Sequence, residues 1–205
     1  MKKKIAVFDF DGTITTKDTL LEFIKFSKGL LAFYLGFLLS CPFLIAYKLK
    51  IISNQSAKEK ILKKFFRGTP ILIFKQYCFD FSKKVLPKLI RKEAMKEIER
   101  LQTDGVTVVI VSASPENWIE SWAAKTGTQL IASRMEAKDG KITGKLLGKN
   151  CHGNEKVKRI CEQYDLSKHE IIAAYGDSRG DKPMLSLAAK SYYKPFQVNT
   201  KLTIY

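Results

Sequence analysis

Asp9 and Asp11 stand one residue apart where a short apolar run ends, and Gly12-Thr13 follows them. Ser112 closes a second apolar run, and Asp177 closes a third, with Asp181 shortly after it. Lys156 lies between the second and third runs. A carboxylate is costly to bury unless a cation or a hydrogen-bond network compensates it, so this set asks for a metal and an anion. The chemistry that uses every member is phosphoryl transfer. A carboxylate that attacks phosphorus forms an acyl phosphate and splits one hard hydrolysis into two easier steps. Nucleophile and phosphate repel each other, so a hard dication with oxygen ligands is needed between them; Asp9 and Asp177 can supply two ligands, and Mg²⁺ suits the role. The cation, Lys156, Ser112 and backbone N–H groups near Asp11 and Gly12 would hold charge on the equatorial oxygens. Asp11, two residues beyond Asp9, projects to the same side, placed to protonate the leaving oxygen and later to deprotonate water.

Singly, each residue has a plainer use: Asp9 or Asp177 as a turn or cap residue, Lys156 on the surface, Ser112 in a turn, Asp181 capping the helix at Pro183. The joint placement is what carries the chemistry, and it depends on the elements. Ile5–Asp9, Val106–Val111 and Ile171–Tyr175 read as strands buried on both faces. Leu130–Ser133 is a further strand, and Asp139-Gly140 marks a hairpin turn into Ile142–Leu146. Helices are expected from Ser114, as N-cap with Pro115 at N1, to Lys125, and from Asn154 as N-cap through Lys156 and Cys161. Strands separated by such helices give an open parallel sheet with right-handed crossovers, whose ligand site lies beyond the carboxyl ends of the strands.

Between the first strand and the rest, the pattern is helical. Leu20–Ser27 is one helix with Asp18 or Thr19 as cap; Ser56 caps another carrying Ile61, Leu62, Phe65 and Phe66; Ile71–Val85 is a third. A fourth begins after Pro87 and runs to Leu101. The sequence therefore predicts an α/β, Rossmann-like core over residues 1–13 and 86–205, with an all-helical insert over 14–85.

Within the insert, Gly29–Tyr47 carries no charged residue and is flanked by Lys25, Lys28, Lys48 and Lys50. Its length is that of a membrane span, but the first strand must share a sheet with strands after residue 105, so a single crossing would part them. Lysines on both flanks suit two ends on one cytoplasmic face. Three readings follow: an interfacial hairpin bent at Pro42, a buried helix pair, or a dimer surface.

The chain has 205 residues, with 36 Lys and Arg against 20 Asp and Glu, a net charge of +16. That surplus attracts anions of every kind, whether nucleic acid, anionic lipid or phosphorylated substrates. A nucleic-acid-binding module without catalysis draws on charge alone, and no aromatic-studded basic motif accompanies it. Cys41, Cys78, Cys151 and Cys161 form no CxxC pair, and with His152 and His169 they match no usual zinc spacing. Four apolar residues before Asp9 are too few for a secretory signal, so the expected location is cytoplasmic, with peripheral contact to the inner face of the membrane.

Asp9-Phe10-Asp11-Gly12-Thr13, Val111-Ser112-Ala113-Ser114, Lys156 and Gly176-Asp177-Ser178-Arg179-Gly180-Asp181 resemble the four motifs of the haloacid dehalogenase-like hydrolases, in order and with matching spacing. The helical insert resembles the cap of the phosphoserine phosphatase-like branch, subfamily IB. The resemblance implies a phosphatase with Asp9 as nucleophile and Asp11 as general acid/base. It places Ser112, Lys156, Gly12 and Ala113 on the phosphate, and Mg²⁺ on Asp9, Asp177 and the Asp11 carbonyl, with Asp181 in support. Asp18 falls near the position of an acidic specificity residue, which is compatible with phosphoserine, while the apolar segment resembles phosphatidylglycerophosphatase-type members and implies a lipid phosphate.

Overall fold

The apolar runs form strands because β-branched and aromatic side chains, buried on both faces, suit a parallel sheet. The structure, a computed structural model, describes residues 2–49 and 51–197, and for Leu44 and Tyr47 the backbone only. In chain order, β1 (Lys3–Phe8) leads into α1 (Thr19–Lys28), α2 (Leu30–Lys48), α3 (Asn54–Phe66), α4 (Ile71–Lys84), α5 (Leu86–Leu89) and α6 (Lys92–Thr103). Next come β2 (Thr107–Pro115), α7 (Glu120–Lys125), β3 (Gln129–Ser133) and the hairpin of β4 (Met135–Lys138) and β5 (Lys141–Leu146). After these follow α8 (Asn154–Gln163), β6 (His169–Gly176), α9 (Lys182–Leu185) and β7 (Lys190–Tyr193).

Five strands make one parallel sheet in the order β3-β2-β1-β6-β7, with Val7 level with Val109 and Ala174. Side chains alternate between its faces. Ile5, Val7, Val109 and Val111 pack with Ile160, Met184 and Leu185 of α8 and α9. Ala6, Phe8, Val108 and Ile110 pack on the other side with Ile98, Leu101, Trp118 and Trp122. The same core continues into α1, α3 and α4, where Phe23 meets the rings of Phe66, Phe74, Phe81 and Trp118.

The chain leaves this sheet at Thr15 and returns at Ile90, which pair across an antiparallel bridge. Thr16 N donates to Leu89 O and Arg91 N to Ile14 O, both at 2.8 Å. That bridge corrects one expectation. No helix runs from Pro87 to Leu101, because Ile90 is extended (φ −71°, ψ 130°) and parts α5 from α6. Ser114 is likewise no helix cap; β2 continues through it to Pro115, and the next segment is a single 3₁₀ turn, Glu116–Trp118, before α7. Ser112 Oγ accepts from Ser114 N at 3.0 Å, which holds the strand end in place. Ser53, not Ser56, caps α3, accepting from Ser56 N. Gly153, with φ 62°, precedes Asn154 at the start of α8.

The uncharged stretch forms one helix rather than a hairpin, since α2 runs through Pro42 without interruption. Proline removes one intrahelical hydrogen bond, but a stripe at helical spacing, Phe33, Gly36, Phe37 and Ser40, anchors the helix. Phe37 meets Phe65 of α3, and a side chain at Gly36 would collide with that same ring. The opposite side of α2 is open: Leu31 is 75%, Leu38 67% and Leu39 64% exposed. Among the described residues no helix is long and apolar enough to cross a membrane. Lys50, one of the flanking lysines, lies outside the described residues.

Candidate active site

The carboxyl ends of β1, β2 and β6 deliver the expected residues to one edge of the sheet. Asp9 follows β1 directly, and its N–H donates to Tyr175 O of β6 at 2.8 Å, which fixes it beside the end of that strand. The next turn, Phe10–Ile14, is closed by Thr15 N donating to Phe10 O at 3.0 Å. Gly12 takes φ 79° there, and an added Cβ would collide with the Asp177 carboxylate. Only glycine meets both demands.

Lys156 is the centre of the arrangement. It is 1% exposed, and its Nζ donates to Asp9 Oδ1 at 2.5 Å and to Asp181 Oδ1 at 2.7 Å. Asp181 is fully engaged, because its Oδ2 accepts from Ser178 Oγ at 2.7 Å, Ser178 N at 2.9 Å and Asp177 N at 3.3 Å. Asp181 thus ties the lysine to the turn that carries Asp177. Asp11 is held from the other side: Thr19 N and Thr19 Oγ1 both donate to its Oδ1, at 2.7 and 2.6 Å, and Ser112 Oγ donates to its Oδ2 at 3.3 Å. Thr19 is therefore a positioning residue that lies in the insert while its partner lies on the core, a link that the sequence did not reveal.

Asp9, Asp177 and Asp181 each offer an oxygen within 4.8 Å of the other two. Burial, reinforced by Asp181 and Asp11, holds Asp9 above the ordinary carboxylate range against the pull of Lys156. Burial and the charge of Asp181 likewise push Asp177 up to about 6. Burial disfavours charge on Lys156 too, but Asp9 and Asp181 outweigh it and raise the ammonium. For Asp181, Lys156 and Ser178 overcome burial and hold the carboxyl low. Carboxylates crowded beyond what one lysine neutralises make an all-oxygen donor set that fits a hard dication.

The raised Asp177 has a consequence for stability. Its unperturbed value is 3.8 and its value in the fold about 6, so between these the folded chain keeps a proton that the unfolded chain has lost. The group's contribution is full below the lower value and is lost as pH rises through the upper one. Without divalent cations, the thermal midpoint of Asp177→Asn should gain on the wild type as pH rises from about 4 to about 6.5. A midpoint difference that stays constant, or that moves in the wild type's favour, over that range would show that Asp177 is not strained by its neighbours.

These residues line a cavity of about 480 Å³ that also includes Gly12, Ala113, Ser114 and Asp18. Ser112 is wholly buried behind it and reaches it through Asp11 and Ser114. Asp18 caps α1 by accepting from Leu21 N at 3.1 Å. Lys58 and His152 are among the lining residues that had not been expected. Lys58 of α3 donates to Ala113 O at 2.8 Å and to Asn150 Oδ1 at 3.3 Å, and burial lowers its pKa. It shares a helix face with buried Ile61 and Leu62, and that spacing is the signal that marks it: a lone lysine on an apolar stripe. His152, whose pKa burial also lowers, lies against Gly180, where an added Cβ would strike its ring.

Comparison with known proteins bears on both sheet and site. The profile of the haloacid dehalogenase-like hydrolases matches residues 6–186. Protein CicA of Caulobacter vibrioides is 33% identical over 94% of this chain and 86% of its own length. The phosphoserine phosphatase of Methanocaldococcus jannaschii is 23% identical over 91% of this chain and 83% of that enzyme. A Bordetella pertussis protein of unknown function superposes with a TM-score of 0.79 at 19% identity, covering 93% of this chain and 89% of that one.

Proposed function

The chain belongs to the haloacid dehalogenase-like hydrolases, as a phosphatase of the phosphoserine phosphatase-like branch, and we propose that it hydrolyses phosphomonoesters through a phosphoryl group carried on Asp9. The observation that carries this reading is the clamp of Lys156 between Asp9 and Asp181, with an Asp177 oxygen within 4.8 Å of both carboxylates and Asp11 lining the same cavity. The Asp9 oxygen not bound to Lys156 attacks phosphorus, and the bond from phosphorus to the leaving oxygen breaks. Asp11 gives that oxygen a proton. Thr19 occupies Asp11 Oδ1 with two donors, so Oδ2 is the oxygen that carries the proton. Once the alcohol departs, Asp11 takes a proton from water, the water oxygen attacks the acyl phosphate, and Asp9 is released with inorganic phosphate.

Lys156 and the backbone N–H groups of the Asp11–Thr13 turn hold the phosphoryl oxygens, with Ser112 bracing Asp11 and Ala113 in the wall of the pocket. Asp9, Asp177 and the Asp11 carbonyl would hold Mg²⁺, which when bound neutralises the charge between nucleophile and phosphate. Asp181, its oxygens already engaged, would support the ion by orienting Asp177 and Lys156. Helices α1–α4, over residues 14–85, serve as a cap that closes the pocket over the sheet edge.

For the leaving group, the exposed apolar side of α2 favours a substrate carried on a lipid. A small soluble phosphomonoester such as phosphoserine is the second reading, favoured by Asp18 and Lys58, opposite charges that both line the pocket. The test is turnover of p-nitrophenyl phosphate by purified protein. Activity should vanish with a chelator and return with Mg²⁺, and a rate unchanged by chelation would overturn the metal assignment. A screen of phosphate esters, with lipid phosphates in detergent, then separates the two substrate classes.

A further inference from the structure

We infer that the outer side of α2 is a docking surface for an anionic lipid bilayer. A helix on a water-soluble surface ordinarily turns charged residues outward. Here the inner stripe is spent on α1 and α3, yet the outward positions are Leu31, Tyr34, Leu35, Leu38 and Leu39, between 53% and 75% exposed. No charged residue occurs from Gly29 to Tyr47. An apolar run of this extent, rimmed by charge, marks an interaction site rather than ordinary surface.

The rim identifies the partner. Lys60 Nζ stands 4.7 Å from the exposed Phe43 ring along the second half of α2, while Lys25, beside Phe33 on the packed side, is paired with Glu22 at 2.7 Å. Lys48 ends the helix. Residues 14–70 hold three acids, Asp18, Glu22 and Glu59, against ten lysines and arginines. A second copy of the chain would bring two such basic rims together. A bilayer with anionic headgroups instead meets an apolar face at acyl depth and a ring of ammonium groups at headgroup level. One helix side on the protein and the other in the interface also explains why α2 lacks any polar face.

The surface lies close to the pocket. Leu49–Ser53 is all that separates the end of α2 from Asn54, which lines the cavity, a reach of about 22 Å at most over six residue steps. Docking would therefore hold the pocket near the headgroup layer, where a phosphomonoester on a lipid is presented. The proposal rests on the phosphatase reading for that consequence alone, since docking is measured without turnover.

The experiment is co-sedimentation of the whole chain with vesicles of phosphatidylcholine, with or without phosphatidylglycerol, at low and high salt. The wild type should bind the mixed vesicles, less well at high salt. Leu35→Asp combined with Leu39→Asp should lower the bound fraction about tenfold or more, and Leu31→Ser with Leu38→Ser should lower it less. Both pairs should turn over soluble p-nitrophenyl phosphate as the wild type does, which also certifies their folding. A wild type that stays in the supernatant with anionic vesicles, or a Leu35/Leu39 variant that binds unimpaired, would overturn the proposal. So would a wild-type dimer that ignores vesicles and that the same variant splits, because the face would then belong to a second copy. If vesicle binding follows expectation but no protein turns over the ester, the phosphatase reading fails and the docking surface stands.

Discussion

Asp9→Asn should lower kcat for p-nitrophenyl phosphate by about four orders of magnitude or more, while the protein stays folded. The amide is no nucleophile, but its oxygen still accepts from Lys156, so the pair at 2.5 Å keeps a polar partner and Asp181 keeps the lysine at 2.7 Å. Binding should survive and even tighten, because a negative charge facing the phosphate is removed. An effect on kcat without a rise in KM distinguishes a lost nucleophile from a disordered pocket. Asp9→Asn activity within about tenfold of the wild type would leave Asp9 a structural residue.

Lys156→Met should have the largest effect on stability. The side chain is 1% exposed and serves two buried carboxylates, and methionine replaces its length but not its charge. Breaking a buried pair by removing one partner costs about 3–5 kcal/mol, which for a chain of this size lowers the thermal midpoint by roughly 10 °C. The loss should be smaller at acidic pH, where the orphaned carboxyls take up protons, and Asp9→Asn in the same chain should restore part of it. Chemical denaturation at two pH values reads both effects. A loss below about 1 kcal/mol would mean that the clamp orders the site without stabilising the fold.

The two experiments probe a site whose residues were largely legible in the sequence. The reason is physical: β1, β2 and β6 are buried on both faces, so they stand out as continuous apolar runs, and parallel sheets place their ligand residues where such runs stop. The Asp139-Gly140 turn, with both residues at positive φ, was equally plain from its dipeptide. What escaped depends on tertiary contacts. Ile90 would continue a helix by local pattern, but the Thr15 bridge draws it into an extended form. Ser114 matches a helix cap, yet the pairing of Pro115 with Ser133 extends the strand past it. β7, a short edge strand that begins on a lysine, has no apolar run to announce it. Lys58 and Thr19 act across elements, and only the fold brings them to Ala113 and Asp11. For α2, composition marked an unusual segment, but the split between a packed side and an open side emerges only with α3 in place.

The central claim is that the phosphoryl group passes through Asp9, and trapping it there is the most direct measurement. Wild-type protein mixed with Mg²⁺ and a phosphomonoester labelled at phosphorus, then quenched in acid within the first turnovers, should retain label on the chain. That label should be released by hydroxylamine, as an acyl phosphate is, and should map to the peptide containing Asp9. Asp9→Asn should retain none. Label that resists hydroxylamine, maps elsewhere or persists in the variant would contradict the account.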